Sequence, residues 1–191
     1  MCVSVGHTNA TYEEVLNAVE IGATQGTHLF NAMSPMNHRN PGAVGGILFS
    51  SAKPELICDF FHVHKDVVKM VYDLKGADNI NMITDSELGT GFPDGEYTVN
   101  GRTIIIKDKK TYTTDGTIAG GTSCMIDGIK NLISIGVPIE DACKMASKNP
   151  AETVGIYDVT GSLEEGKIAD IVILDKNYNI KNVILRGNLL K

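Results

Sequence analysis

Short apolar runs rich in β-branched residues alternate with amphipathic segments over the first 85 residues of the chain. The runs at positions 2–5, 56–61 and 79–84 predict buried strands, and a weaker strand is expected to lead to His28. Segments with helical periodicity separate these strands. Because strands that alternate with helices are typical of parallel βαβ units, the pattern predicts an α/β fold.

The helical segments carry start and spacing signals of their own. Thr11 and Glu14 form a capping box, which predicts a helix that begins directly after Thr11. Apolar residues recur on one face of positions 65–75, which predicts a second helix there. The stretch 31–46 is rich in Pro, Gly and Asn, so we expect a long ordered loop, and loops of that length are often functional.

The pattern changes between positions 89 and 118. Turn signals at Asp94-Gly95 and Asn100-Gly101 flank runs of β-branched residues. Asp-Gly and Asn-Gly pairs between such runs are typical of tight antiparallel turns, since both residue types tolerate a positive φ. The sequence therefore predicts a hairpin insertion over about 89–118.

Helices are predicted again in the last third of the chain. One covers about 123–135, the next begins at Pro138, and a short one begins at Asn149. Strand-like runs follow at 169–174 and 181–185. These two runs predict a small β-module that is separate from the parallel part of the fold.

Composition restricts the classes of partner. The chain has 191 residues and a net charge of −6, which argues against nucleic acid as the main partner because that role requires a basic face. No apolar run approaches the roughly 18 residues that a membrane span needs, so we expect no membrane partner. The four cysteines include no Cys-x-x-Cys pair, which indicates reduced, mostly buried thiols in a cytoplasmic protein.

All five histidines lie within the first 64 residues. His7, His28 and His62 each follow a predicted strand, and Asp85 follows the next one. In (β/α) barrels the C-terminal ends of the strands build the active site, so these four side chains are expected to converge. Neutral imidazoles and a carboxylate suit a divalent zinc or iron ion. The alternative for any single histidine is a packed core residue.

Several segments of the chain together resemble one enzyme family. They are GHTNATYEE, ATQGTHLFNAMSP, HRNPGAVGGIL, HVH, ITDSELGTGFPDGEY, DGTIAGGTSCMIDGIKNL and NPAETVGI…GSLEEGKIADIVILD. This combination extends from the first residues to the last, and it resembles the N-acetylglucosamine-6-phosphate deacetylases of the amidohydrolase superfamily. The segment DFFHVHKD departs from the family's usual Asp-Gly-aliphatic-His-Val-His-Pro at Phe60 and Phe61.

The resemblance implies a metal-dependent hydrolysis and assigns roles to the four strand-end residues. His7 and His28 resemble the two histidine ligands of the catalytic metal. His62 resembles the histidine that touches the substrate and helps to polarise the reacting carbonyl. Asp85 resembles the aspartate that acts first as general base and then as general acid. Two further carboxylates, Asp59 and Glu87, are interpreted as structural or solvated.

The resemblance also implies an amino-sugar phosphate as substrate. Asn31 and Ala32 resemble the loop residues that hold the sugar phosphate, partly through backbone N–H groups. Arg39 resembles the arginine that binds the phosphate, and a guanidinium can hold a phosphate through two parallel hydrogen bonds. The alternative for Arg39 is a solvated loop residue.

The architecture implied by the resemblance is the C-terminal half of a (β/α)8 barrel, strands five to eight, over residues 1–160. Residues 161–191 would supply the C-terminal strands of a small β-sandwich. Since a half-barrel leaves two strand edges open, we expect a fragment that associates with a missing N-terminal half or forms a homo-oligomer. Two other interpretations remain: another amidohydrolase, such as a cyclic amidase or a deaminase, and a non-catalytic structural remnant.

Overall fold

The computed structural model describes residues 1–86, 89–108 and 110–190 and has an α/β architecture with three separate sheets. The first sheet contains four parallel strands in the order β1-β2-β3-β4, which is also their order along the chain. The strands are β1 Ser4–Val5, β2 Gln25–Gly26, β3 Lys53–Ile57 and β4 Asn81–Ile83. The predicted parallel βαβ pattern is therefore present.

The strand bounds differ from the prediction. β1 covers only 4–5 of the run 2–5 and is not buried, β4 covers 81–83 of the run 79–84, and β3 begins before its predicted run, at Lys53. The run 56–61 is expected to be a strand up to His62, but β3 already ends at Ile57. Asp59 accepts hydrogen bonds from the backbone N–H groups of Phe61 and His62, each at 2.9 Å. An aspartate that bonds its own backbone two and three residues further on favours a turn over a strand ladder.

Three helices connect the parallel strands: α1 Tyr12–Glu20, α2 Gly42–Phe49 and α3 Lys65–Lys75. The structure confirms the capping box of α1, since the Glu14 amide donates to the Thr11 hydroxyl while the Glu14 carboxylate accepts from the Thr11 amide. The bounds of α3 match the predicted 65–75. The prediction of a long loop over 31–46 is wrong for its last residues, because α2 begins at Gly42.

Helix α2 forms despite three glycines because it is packed on every side. All of its residues from Gly42 to Leu48 are buried. A Cβ on Gly26 of β2 would lie 2.8 Å from Ile47, and a Cβ on Gly46 would lie 2.5 Å from Val15 of α1. The glycines therefore permit close contact between elements, and burial offsets their low helix propensity.

The predicted hairpin insertion is a four-stranded antiparallel sheet that reaches slightly further than residue 118. Its strands, in the order β5-β6-β7-β8, are Gly95–Val99, Arg102–Lys107, Lys110–Thr113 and Ile118–Gly121. Asn100 and Gly101 form the two-residue turn between β5 and β6, with φ of 50° and 77°. Positive φ at both positions is the requirement of the tight hairpin turn that the Asn-Gly pair predicted.

The last third is helical and then β-structured, as predicted. Helices α4 Met125–Ser134, α5 Ile139–Cys143 and α6 Asn149–Val154 follow the insertion, with a π-helical segment at Lys144–Lys148. A three-stranded antiparallel sheet follows, in the order β11-β10-β9, with β9 Ile171–Leu174, β10 Ile180–Leu185 and β11 Asn188–Leu190. The sequence had indicated β9 and β10 only.

The hydrophobic core lies between the parallel sheet and its helices. Leu29, Ile47, Leu56, Val68 and Met82 are among its fully buried members. Of the four cysteines Cys58 alone is buried, so the expectation of mostly buried thiols is wrong, although all four are free. Within the described residues, no helix combines the length and apolar character needed to cross a membrane.

Candidate active site

His7 and His28 meet at the C-terminal end of the parallel strands, the C-terminal edge of the sheet. Each lies two residues beyond the end of its strand, β1 or β2. Their Nε2 atoms are 2.7 Å apart. Two backbone bonds hold the segments that carry them together: the Thr8 amide donates to the Ala32 carbonyl and the Ser34 amide donates to the Thr8 carbonyl, each at 3.0 Å. The structure therefore brings the two predicted ligand histidines together.

The donor set of this pair fits part of a divalent metal site. Two Nε2 atoms converge, and the buried Nδ1 of His28 has no hydrogen-bond partner in the described part of the chain. A histidine that binds a metal usually donates the N–H of its other ring nitrogen to an acceptor. For His28 Nδ1 that acceptor is not among the described residues. Within residues 1–86, 89–108 and 110–190, no group of three or more His, Cys, Asp or Glu side chains could hold a metal.

Asp85 lies at the same edge, two residues beyond the end of β4. It is exposed, and its carbonyl accepts a hydrogen bond of 3.1 Å from the Gly121 amide at the end of β8. Asp85 also acts on Glu55 of β3. Burial raises the pKa of Glu55, the negative charge of Asp85 raises it further, and contacts with His28 lower it. Asp85, after β4, and His28, after β2, thus both influence the pKa of a carboxylate on β3, the strand between them.

A polar network inside the sheet was not anticipated from the sequence. The Gln25 amide donates to the Glu55 carboxylate, and the other Glu55 oxygen accepts from the His28 amide at 3.4 Å. The Asn81 amide donates to Gln25 at 2.9 Å and to Thr153 at 3.0 Å. The one available signal was the charged Glu55 directly before the apolar run that begins at Leu56. The network links β2, β3 and β4 beneath the histidine pair.

His62 is held by Asp59. Its Nδ1 lies 2.7 Å from Asp59 Oδ2, and the two side chains are 3% and 7% exposed. Burial raises the pKa of Asp59, but the side-chain and backbone hydrogen bonds from His62 and the backbone bond from Phe61 outweigh it, so this pKa lies below its ordinary value. Asp59 is therefore bonded within the turn that carries His62 rather than solvated. Glu87 lies outside the described residues.

Aromatic side chains and one lysine pack beside His62. The Phe61 ring contacts the rings of His62 and Tyr112, with centroids 5.2 and 6.0 Å away, and Lys110 Nζ lies 4.5 Å from its centroid. Phe60 has a φ of 62°, a left-handed conformation that favours glycine. The resemblance drawn from the sequence implies glycine at this position, and Phe60 adopts a left-handed conformation there that is strained for a residue with a Cβ.

The three predicted phosphate-binding residues lie on the segment after His28. Asn31 donates its side-chain amide to the carbonyls of His28 and Leu29 at 3.2 and 3.3 Å, which holds the turn itself. Ala32 is exposed and has a φ of 48°. Arg39 is exposed, and its guanidinium takes part in no ion pair or side-chain hydrogen bond with any described residue. The geometry leaves Arg39 available to an anion.

The model of the amidohydrolase family matches residues 1–190. The chain belongs to the amidohydrolase family. Among curated proteins, N-acetylglucosamine-6-phosphate deacetylase of Lysinibacillus sphaericus is 41% identical over 189 residues, which are 98% of this chain and 49% of that protein. This likeness confirms the resemblance drawn from the sequence.

Two further relatives of this amidohydrolase bear on its length. The crystal structure of N-acetylglucosamine-6-phosphate deacetylase from Pasteurella multocida superposes with a TM-score of 0.94 at 33% identity, covering all of this chain and 50% of that one. The putative N-acetylgalactosamine-6-phosphate deacetylase of Escherichia coli K12 is 34% identical over 164 residues, 85% of this chain and 98% of that one. The chain thus spans about half the length of the Lysinibacillus and Pasteurella proteins.

Proposed function

We propose that this chain is the C-terminal half of a metal-dependent deacetylase that hydrolyses N-acetylglucosamine 6-phosphate to glucosamine 6-phosphate and acetate. The observation that carries the proposal is the convergence of the His7 and His28 Nε2 atoms at the edge where Asp85 also lies. The printed names of the relatives supply the substrate class. An anionic chain with four free cysteines accords with a cytoplasmic enzyme.

His7 and His28 would hold the divalent ion, and zinc or iron suits their imidazoles. When bound, such an ion lowers the pKa of its water, so that hydroxide exists near neutral pH. A further ligand must come from outside the described residues, because none of them adds a third donor to the pair. We infer that the rest of the enzyme supplies it.

Asp85 would carry the proton. Its exposed carboxylate at the strand edge can accept a proton from the attacking water and pass it to the departing nitrogen. Amide cleavage needs this transfer because an amine anion is a very poor leaving group. His62 would bond the substrate beside the reacting acetamide through its buried Nε2, which no described residue bonds.

Arg39 would bind the phosphate of the substrate, with Asn31 and Ala32 forming the adjoining loop. A guanidinium suits this role because it can make two parallel charge-assisted bonds to a phosphate. Binding the remote phosphate would position the acetamide at the metal edge, which lowers the entropic cost of the reaction. The Arg39 side chain is exposed and pairs with no described residue, which supports this assignment.

The architecture supports a half-barrel that needs completion. We assign β1–β4 as strands five to eight of a (β/α)8 barrel within residues 1–160, and residues 161–191 as part of a small β-sandwich. An apolar groove of about 1010 Å³ lies between the C-terminal helices and β9–β10. Val172, Ile180 and Leu189 in the last sheet are exposed. These surfaces suit an N-terminal half, with self-association as the competing outcome.

Reconstitution tests the proposed function. The 191-residue chain is mixed with the separately produced N-terminal half of the Lysinibacillus relative in the presence of zinc or iron, and acetate release from N-acetylglucosamine 6-phosphate is followed. We expect release from the mixture, and its loss in Asp85→Asn. The control Asp73→Asn alters an exposed carboxylate on α3 paired with Lys69, so its activity should equal wild type. Absence of release from two folded, metal-loaded halves would refute the proposal.

Two measurements separate the competing interpretations. Arg39→Ala should raise KM for phosphorylated substrates, whereas indifference to the phosphate would favour another amidohydrolase. Metal analysis of the mixture should show that His28→Ala lowers the bound metal while the exposed His38→Ala does not. A chain without metal and without hydrolysis under all conditions would favour a non-catalytic remnant.

A further inference from the structure

Both carboxylate oxygens of Asp59 form hydrogen bonds within the turn 59–62. Oδ1 accepts the backbone N–H groups of Phe61 and His62, each at 2.9 Å, and Oδ2 lies 2.7 Å from His62 Nδ1. The contact between the two side chains is almost fully removed from water, since 3% and 7% of their surfaces are exposed. A carboxylate with this geometry fixes both the backbone and the ring of the histidine.

The opposite nitrogen of the ring, Nε2, has no hydrogen-bond partner among the described residues. Nε2 of His62 is buried and makes no hydrogen bond to any residue in the described ranges. Gly121 of β8 adjoins the ring, and a Cβ there would lie 3.5 Å from His62 Cε1. Buried polar atoms in native structures are rarely left unpaired, so we expect this atom to bond a ligand. Asp59 and a ligand would then occupy the two ends of one imidazole.

We propose that Asp59 is a positioning residue that fixes His62 in the tautomer with the proton on Nδ1 and so presents Nε2 to the substrate. A carboxylate that keeps its charge is an acceptor only, so the Nδ1 proton is the sole arrangement that satisfies the 2.7 Å contact. The identity of the substrate rests on the proposed function, but the tautomer does not.

The tautomer restricts what His62 can do. With the proton on Nδ1, a neutral ring offers a lone pair at Nε2, which accepts a hydrogen bond from a substrate O–H or N–H. Donation to a carbonyl oxygen requires a second proton at Nε2, and the Asp59 carboxylate then compensates the charge of the imidazolium. In either state Asp59 determines which atom of His62 meets the substrate.

Asp59→Asn gives a sharp test because it keeps the shape of the turn. The asparagine oxygen still accepts the two backbone N–H groups, while its amide replaces Oδ2 and donates to Nδ1. The neutral ring of His62 must then carry its proton on Nε2. Long-range ¹H–¹⁵N correlation spectra of ¹⁵N-labelled protein assign the two ring nitrogens and report which one is protonated.

We expect Nδ1 of His62 to be protonated in the neutral wild-type ring and Nε2 in Asp59→Asn. The matched control is Asp66→Asn beside His64, a second His–Asp pair at 3.6 Å whose side chains are 68% and 70% exposed. This control should leave the His62 signals unchanged. A wild-type ring protonated mainly on Nε2 overturns the proposal, and this measurement requires no variant to fold.

Activity gives the second readout in the reconstituted enzyme. Loss of a group that orients a site residue typically costs about 10- to 100-fold, so Asp59→Asn should lower kcat by that factor with KM little changed. The Asp66→Asn control should retain wild-type kcat. Full activity with a reversed tautomer overturns the positioning role. An inactive wild-type mixture counts against the proposed function alone, because the spectra still decide the tautomer.

Discussion

Replacing Gly46 by alanine tests how far the stability of the fold depends on the close packing of α1 on α2. A Cβ at position 46 would lie 2.5 Å from Val15 Cβ and 2.7 Å from its Cγ1. Because Val15 Cβ is attached directly to the backbone of α1, the contact cannot be relieved by a rotamer change. The helices must therefore move apart.

The magnitude follows from two opposing effects. Overpacking of a filled core costs about 1–3 kcal/mol. Alanine in place of glycine within a helix returns about 0.5–1 kcal/mol. The expected loss in the free energy of unfolding thus falls within about 0–2.5 kcal/mol, and a contact of 2.5 Å with a Cβ that no rotamer change can move favours the upper part of that range. For a domain of this size, a loss of that order lowers Tm by a few degrees, at about 2–4 °C per kcal/mol.

The matched control is Gly128→Ala in α4, which is also a buried helical glycine. Its Cβ would lie 3.1 Å from the Met82 sulfur, and a methionine side chain can adjust where a valine Cβ cannot. We expect this variant to match or exceed wild-type stability.

Urea unfolding followed by circular dichroism gives the free energy of unfolding of wild type, Gly46→Ala and Gly128→Ala. A Gly46→Ala protein as stable as wild type would show that α1 and α2 can separate freely. A larger loss in Gly128→Ala than in Gly46→Ala would refute the reasoning from Cβ contacts altogether.

Two further changes probe buried polar groups. Asn149 donates to the carbonyls of Ala77 and Ile80 at 2.6 and 2.7 Å, so Asn149→Ala should lower the free energy of unfolding by about 1–3 kcal/mol. Asn79 donates to the Lys75 carbonyl at 2.9 Å in an exposed position, so Asn79→Ala should lower it by less, about 0.5–1 kcal/mol. Equal losses in urea unfolding would contradict this. Burial raises the pKa of Glu55, so its contribution to stability is complete below the unfolded value of about 4.3 and is lost as the pH rises through the folded value. Glu55→Gln should abolish this pH-dependent loss, and an unchanged pH dependence of unfolding would exclude it.

Local signals in the sequence predicted the elements that depend on local chemistry. The capping box at Thr11 and Glu14 fixed the beginning of α1, and the Asn100-Gly101 pair fixed the turn between β5 and β6. Each depends on hydrogen bonds or φ values within a few residues. Such signals can be read without knowing what the segment packs against.

Helix α2 shows where this reading fails. Its sequence is apolar on all sides, so it carries no periodicity that separates a buried face from an exposed one. Its stability comes from contacts with β2 and α1, through Gly26 and Gly46. From local sequence alone, glycine suggests a loop. Here the glycines allow α2 to contact β2 and α1 closely. Tertiary packing alone distinguishes the two meanings.

The candidate site depends on backbone conformations that residue types do not reveal. His7, His28 and Asp85 each lie two residues beyond a parallel strand, and their φ angles are 45°, 30° and 51°. A left-handed conformation costs a residue with a Cβ about 1–2 kcal/mol, so glycine would relieve the strain at all three positions. Glycine would also remove the imidazoles and the carboxylate. Since strain of this kind persists only where the surrounding structure imposes it, its recurrence at three equivalent strand ends supports the roles proposed above for these side chains.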